Sequence, residues 1–322
     1  MLTYIGRRAV FSGLVLLIAT FLLFWFVRST FDPTSRLRAS RDPHVVQEAR
    51  ERLGLNDPIY VQYGHWLGNA VRGDLGTSSR TNEEVTSMVS RAMGNTMQLI
   101  FWGIALSATV AIFVGVYSAV KQYSVGDYLF TGLSYIGIAM PPFWFGLIAI
   151  QLLAVEARDV FNTADAPFYF VGLHSGNSSG IDLDYFRHLL LPVLTLTVQI
   201  IASWSRFERA SMLDVLGADY VRTARAKGVP RRKVVYKHAM RNALIPLVTV
   251  MALDIGYLFG GLIITEQIFS IPGMGRLFIN ALQQGDVFVV EAWMIVVAAM
   301  IIILNLLADV LYGVLDPRIR LD

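Results

Sequence analysis

The pattern of apolar and polar positions alternates long hydrophobic runs with charged stretches rich in glycine and proline. The first run extends from Ala9 to Val27, preceded by Arg7 and Arg8 and closed by Arg28. Further runs cover Met97 to Val120, Tyr128 to Val155, Leu189 to Ser205, Ala243 to Thr265 and Val287 to Tyr312. Crossing the hydrocarbon core takes roughly 20 residues at about 1.5 Å each, so each run predicts a membrane-spanning helix, with Leu189 to Ser205 marginal in length. A signal peptide competes for the first run. That run is 19 residues long, beyond the usual signal core, and no small-residue cleavage site follows it. The pattern predicts an all-α membrane protein with six transmembrane helices.

The polar stretches divide the chain into an N-terminal transmembrane helix (1–30), an extracytoplasmic loop subdomain (31–96) and a five-helix core (97–322) that contains a cytoplasmic loop (206–242). The first outer loop carries Leu53-Gly-Leu-Asn-Asp-Pro58, Gln62-Tyr-Gly-His-Trp66 and Gly73-Asp-Leu-Gly-Thr-Ser78, whose turn residues predict a small folded unit. It either packs over the helices or docks a partner. The second outer loop, Glu156 to Arg187, has Gly172, Gly176, Asn177, Ser178, Ser179 and Gly180 and predicts a flexible connection. Pro141 and Pro142 interrupt the third run, so a kink or local unwinding is expected there, either a packing bend or a hinge lining a path. Pro272, Gly273 and Gly275 predict a break after the fifth run, as part of an outer lid or as a tight turn.

Between the fourth and fifth runs lies a basic, helix-prone segment from Arg206 to Pro246. Met212, Leu216, Tyr220 and Ala224 fall four apart, with Leu213 beside them, and predict one apolar stripe on an amphipathic helix. Gly228 permits the left-handed backbone that ends a helix, and Pro230 suits the first turn of the next, so the segment reads as an elbow of two helices.

Composition agrees with a membrane protein: 55% hydrophobic residues, 16% charged residues and no cysteine. The net charge of +3 is small, and its basic residues flank apolar runs, which argues against nucleic acid as a partner. Lysine and arginine are densest in the elbow, and Arg7, Arg8, Lys121, Arg318 and Arg320 fall on the same side if six spans alternate, which predicts cytoplasmic termini. Arginines in the first outer loop do not oppose this, since loops longer than about 60 residues escape the charge rule. The dipeptide Gly-Lys never occurs, so a phosphate loop of the Gly-x-x-x-x-Gly-Lys-Ser/Thr type is absent. His44, His65, His174, His188 and His238 have no metal-ligand spacing, and no metal, cofactor or catalytic residue is expected on this chain.

The run Tyr220-Val-Arg-Thr-Ala-Arg-Ala-Lys-Gly228, then His238-Ala, Arg241-Asn-Ala and Pro246, resembles the loop that permease subunits of bacterial ABC importers insert into their ATPase partners, in the version of the dipeptide and oligopeptide permeases. The three outer-loop phrases, Glu266-Gln-Ile-Phe-Ser-Ile-Pro-Gly-Met-Gly275-Arg-Leu and the ending Leu315-Asp-Pro-Arg-Ile-Arg320 are similar to the same family, so the resemblance covers nearly the whole chain. It implies a type I importer permease in the bacterial inner membrane, a second homologous permease subunit, two ATPase subunits or domains carrying ATP and Mg, and an extracytoplasmic substrate-binding protein. Asp219, Tyr220, Arg222, Thr223, Ala224, Arg225, Ala226, Lys227 and Gly228 would then couple to the ATPases. Tyr220 and the apolar stripe would seat in a groove, Arg222, Arg225 and Lys227 would meet acidic groups, and Gly228 would set the angle.

Where the general importer loop begins Glu-Ala-Ala, this chain has Arg222-Thr-Ala224, and His238-Ala-Met-Arg241 replaces Ile-x-Leu-Pro. Both departures are usual in the peptide branch. The expected cargo is dipeptides or oligopeptides, with nickel, glutathione or another small solute as alternatives. Two other classes compete: an ion-coupled transporter using Asp254, and an intramembrane enzyme using Asp254, Glu291 or Asp309, for which no catalytic pair is evident. Asp254 would face either the path, attracting a peptide's amino terminus, or a neighbouring helix.

Overall fold

A helix of 34 residues, α8 (Leu183–Leu216), is the element on which most neighbouring helices pack. The computed structural model describes residues 2–34, 43–160, 166–176 and 180–315. Expectations at Asn177, Ser178, Ser179, Arg318 and Arg320, and the side chain of Asp309, lie outside the described residues. The chain divides into two compact units, one formed by Met1–Thr96 with Pro272–Leu306 and the other by Met97–Ile271 with Leu307–Asp322.

The first unit holds α1 (Leu2–Thr30), α2 (Pro43–Arg52), α3 (Ile59–Val71), the start of α4 (Val85–Val120), α13 (Met274–Gln284) and most of α14 (Val287–Leu315). The aromatic phrase of the first outer loop lies on α3 and faces α1. Tyr63 meets Phe21 and Phe24 edge-on, and its hydroxyl shares a 2.8 Å hydrogen bond with Thr20. Arg28, at the end of the first apolar run, donates to Glu291 of α14 at 3.1 Å and lies over the rings of Phe24 and Phe288. Glu291 is thus half of a buried ion pair, which accounts for a carboxylate at that depth. The hydroxyl of Ser78 donates to Asp286, which fastens the Gly73–Ser78 phrase ahead of α14.

The break at Pro272 is a pinned turn followed by a helix. Asn95 Nδ2 donates to the Pro272 carbonyl at 2.9 Å, and the Met274 amide donates to Thr96 Oγ1 at 2.8 Å, satisfying an orphan donor at the start of α13. Gly273 and Gly275 are both buried in this turn, whereas Pro272 is exposed.

The second unit packs α5 (Val125–Ala139), α6 (Pro142–Ile150), α11 (Met240–Gly261) and the remainder of α4 on α8. Small residues let the backbones approach, as expected where helices associate in lipid. A Cβ at Gly103 would stand 2.6 Å from Leu196, one at Gly137 3.2 Å from Ala202, and one at Gly146 3.1 Å from Thr195. A π-helical turn, Gln151–Glu156, and α7 (Ala157–Val160) follow α6, and α12 (Ile263–Ile268) follows α11.

Two expectations change here, while the proline break stands as an unwound point: the run from Tyr128 to Val155 is two helices bent by 104°. Met140 and Pro141 are extended at the break, and Gln199 Nε2 of α8 donates to the Met140 carbonyl at 2.9 Å, replacing a partner lost where the helix stops. Five described helices are long and apolar enough to cross a membrane, and the count is six if the bent pair is one broken span. The fourth run is not short, because α8 continues past Ser205 through Arg206 and Glu208 to Leu216. The described part of the second outer loop is not a loose connection. Leu173 is buried in the core, and the Gly172 amide donates to the Phe269 carbonyl at 2.8 Å.

Candidate functional site

The elbow starts where Gly217 and Ala218 interrupt the helix. Gly217 caps α8, Ala218 is extended, and α9 (Asp219–Ala226) begins afresh. The interruption resets the helical phase, so the apolar stripe expected through Met212, Leu216, Tyr220 and Ala224 is not continuous. The buried face of α9 is Val221 and Ala224, while Tyr220 is 45% exposed. Its hydroxyl accepts a 3.0 Å hydrogen bond from Asn242 Nδ2, tying α9 to α11.

Gly228 ends α9 as expected. At φ +74 it occupies the left-handed region, its amide donates to the Arg225 carbonyl, and the Val229 amide donates to the Ala224 carbonyl. These two bonds form a Schellman closure, in which a side chain at Gly228 would be strained. Pro230 precedes α10 (Arg231–Lys233), outside its first turn, and a π-helical turn, Val234–Ala239, carries the chain into α11.

The elbow is held from inside and bare outside. Val221 and Ala224 join Val116 and Ala119 of α4, Met212 of α8 and Val234, Val235 and Ala239 of the π-helical turn in one apolar cluster. Asp219, Arg222, Thr223, Arg225, Ala226, Lys227 and Gly228 are exposed. Asp219 and Arg222 make a 3.7 Å contact on that face, and both remain largely solvated, so the pair contributes little stability. The outer surface is a short basic helix on a rigid base.

Two acidic residues buried at this base were missed by the sequence reading, and one of them, Asp127, anchors it. Asp127, at the start of α5, is 2% exposed and accepts from Arg209 of α8. It also accepts the Tyr123 amide at 2.9 Å, which holds the α4–α5 turn, where Tyr123 has φ +64. Glu208 of α8 is fully buried against Gly115 of α4. Asp127 immediately precedes the expected run from Tyr128, and Glu208 follows the run that ends at Ser205, so neither lies within an apolar run. Their signal was the continuation of helical spacing past Ser205.

Asp254 lies on α11 with Trp204 Nε1 donating to its Oδ2 at 2.7 Å. Pro141 and Pro142 lie at the bend and are not near the elbow in sequence or in its apolar cluster. His174, Asp182 and Asp184 bring ligand atoms within 4.8 Å of one another. Both carboxylates already serve the fold: Asp182 accepts the Tyr185 amide at the start of α8, and Asp184 accepts the amide and hydroxyl of Ser175.

Comparison with known proteins covers both ends of the chain. Residues 111–321 match the family described as binding-protein-dependent transport system inner membrane component, and residues 1–100 match its N-terminal model. The chain is 40% identical over 325 residues to an oligopeptide transport system permease protein, AppB, of Bacillus subtilis, covering 99% of this chain and 100% of that one. It is 38% identical to a di/tripeptide transport system permease protein, DppB, of Pseudomonas aeruginosa and to a dipeptide transport system permease protein, DppB, of Escherichia coli, covering 99% of each chain in both cases.

Proposed function

The chain belongs to the inner membrane component family of binding-protein-dependent transport systems, and we propose that it is the permease subunit of an ATP-driven importer of dipeptides and oligopeptides. The observation that carries this reading is full-length similarity to three permeases named for oligopeptide, di/tripeptide and dipeptide transport. Its fold is that of a type I importer permease, and the protein is a multi-pass membrane protein.

In this reading the chain is not itself an enzyme. ATP and Mg are bound by two partner ATPase subunits or domains, a second homologous permease completes the path, and a binding protein delivers cargo from outside the bacterial inner membrane. Both termini are cytoplasmic, as is the elbow. The exposed residues Asp219, Tyr220, Arg222, Thr223, Arg225, Ala226 and Lys227 meet the ATPase, Gly228 closes the helix, and Ala224 seats it on the core. Support comes from the solvated basic face over a packed base, a geometry that transmits rigid-body displacement and resists local bending.

Pro141 and Pro142 are the hinge in this mechanism, supported by the 104° bend. Pro272, Gly273 and Gly275 form a fixed outer turn, supported by its bonds to Asn95 and Thr96. Asp254 fixes the packing of α11 on α8, supported by its bond to Trp204. The test is co-expression with candidate ATPase subunits, a second permease and a binding protein. The chain is expected to co-purify with ATPase subunits and to support ATP-dependent dipeptide uptake in vesicles. Uptake by this chain alone, driven by an ion gradient, would refute the reading.

A further inference from the structure

Beside the elbow, a groove of about 540 Å³ runs along α4 to the α10 turn. Its volume falls in the range of ligand clefts, roughly 300–1,000 Å³. Phe113 and Val116 of α4 and Tyr236 of the π-helical turn contribute to its apolar walls, and Lys121, Arg231 and Arg232 stand at one end. Among the described residues no carboxylate lines it. Those three cations form no ion pair among the described residues, and Lys121 Nζ lies 5.0 Å from the centre of the Tyr117 ring. A second groove lined by Lys233, Lys237 and Arg241, together with Arg232 and Tyr236, extends the basic rim.

The occupant must satisfy both ends. Phe113 and Val116 belong to a helix apolar enough to span the membrane, so a water-soluble partner does not reach that wall. A neighbouring apolar helix would cover the wall but leave three cations uncompensated. An amphiphile with a hydrocarbon chain and an anionic head matches both, with aromatic and basic side chains at the level of the headgroups. We propose that this groove holds an acyl chain of an anionic glycerophospholipid, whose phosphate lies among Lys121, Arg231 and Arg232. The bound lipid braces the second arm of the elbow against α4. This inference rests on the membrane location of α4 and is independent of cargo and of the coupling role.

The test places a photoreactive benzoylphenylalanine at position 236 of the full chain, purified with its native partners. The protein is reconstituted in vesicles of phosphatidylcholine with or without phosphatidylglycerol, irradiated and analysed by mass spectrometry. A phosphatidylglycerol adduct is expected, falling about tenfold or more in the triple variant Lys121→Gln, Arg231→Gln, Arg232→Gln, since each basic residue near anionic lipid contributes about a kcal/mol. The comparison of vesicle types uses only the protein labelled at position 236, where Tyr236 is exposed, and requires no charge variant to fold. Equal adducts to both lipids, an adduct unchanged in the triple variant, or cross-linking to a protein helix alone would overturn the proposal.

Discussion

Arg209 of α8 grips Asp127 of α5 through two parallel hydrogen bonds, Nε to Oδ1 at 2.8 Å and Nη2 to Oδ2 at 2.9 Å. The bidentate geometry fixes the guanidinium plane as well as its charge. Removing only the cation leaves a carboxylate stranded in the interior, so Arg209→Met is expected to destabilise the protein by about 3 kcal/mol. Combining it with Asp127→Leu should recover much of that loss, because both charges are then gone. Thermal unfolding in detergent reads the cycle; equal stability of Arg209→Met and the unsubstituted protein would exclude the clamp.

Gly115 supplies a second test of the same base. A Cβ there would lie 2.6 Å from Glu208 Cβ and 2.8 Å from the Ser205 carbonyl, whereas one at Gly132 meets nothing within 4 Å. Gly115→Val should therefore cost roughly 1–3 kcal/mol through overpacking, and Gly132→Val much less. Paired melting curves decide the matter, and equal losses would mean that α4 and α8 do not approach so closely.

Asp254 is expected to behave as a packing group. Asp254→Asn keeps an acceptor for Trp204 and should melt near the unsubstituted protein, while Asp254→Leu loses a charge-assisted bond worth roughly 1.5–3 kcal/mol. In uptake assays Asp254→Asn should affect peptides with free and blocked amino termini alike. A selective loss for free-amine peptides would place the carboxylate in the substrate path.

The membrane spans were legible because long apolar runs identify themselves without any knowledge of partners. Pro141 and Pro142 marked the break, but its angle involves Gln199, which lies 59 residues from the Met140 carbonyl it satisfies. The elbow's exposed basic face was legible too. Its buried face was not, since Gly217 and Ala218 restart the helix and shift the stripe from Tyr220 to Val221. The Asp127–Arg209 clamp joins residues 82 apart, and no local period connects them.

Orientation is checked by cysteine labelling, for which the native chain offers a clean background with no cysteine of its own. Ser78 is a poor probe because it is 2% exposed and bonded to Asp286, whereas Val71 is 81% exposed. With an impermeant thiol reagent added outside, Val71→Cys should react and Ala226→Cys should not. The opposite pattern would invert the membrane topology.

In the proposed function the exposed face of α9 carries force between the ATPases and the spans. Arg222 and Arg225 are exposed, and neither belongs to the buried cluster beneath, so reversing both charges leaves the base intact. The most direct measurement is ATP hydrolysis by the reconstituted complex carrying Arg222→Glu and Arg225→Glu, with and without peptide-loaded binding protein. An unchanged melting temperature, loss of the stimulated hydrolysis and loss of uptake are expected; stimulation and uptake at the unsubstituted level would refute the coupling role of α9.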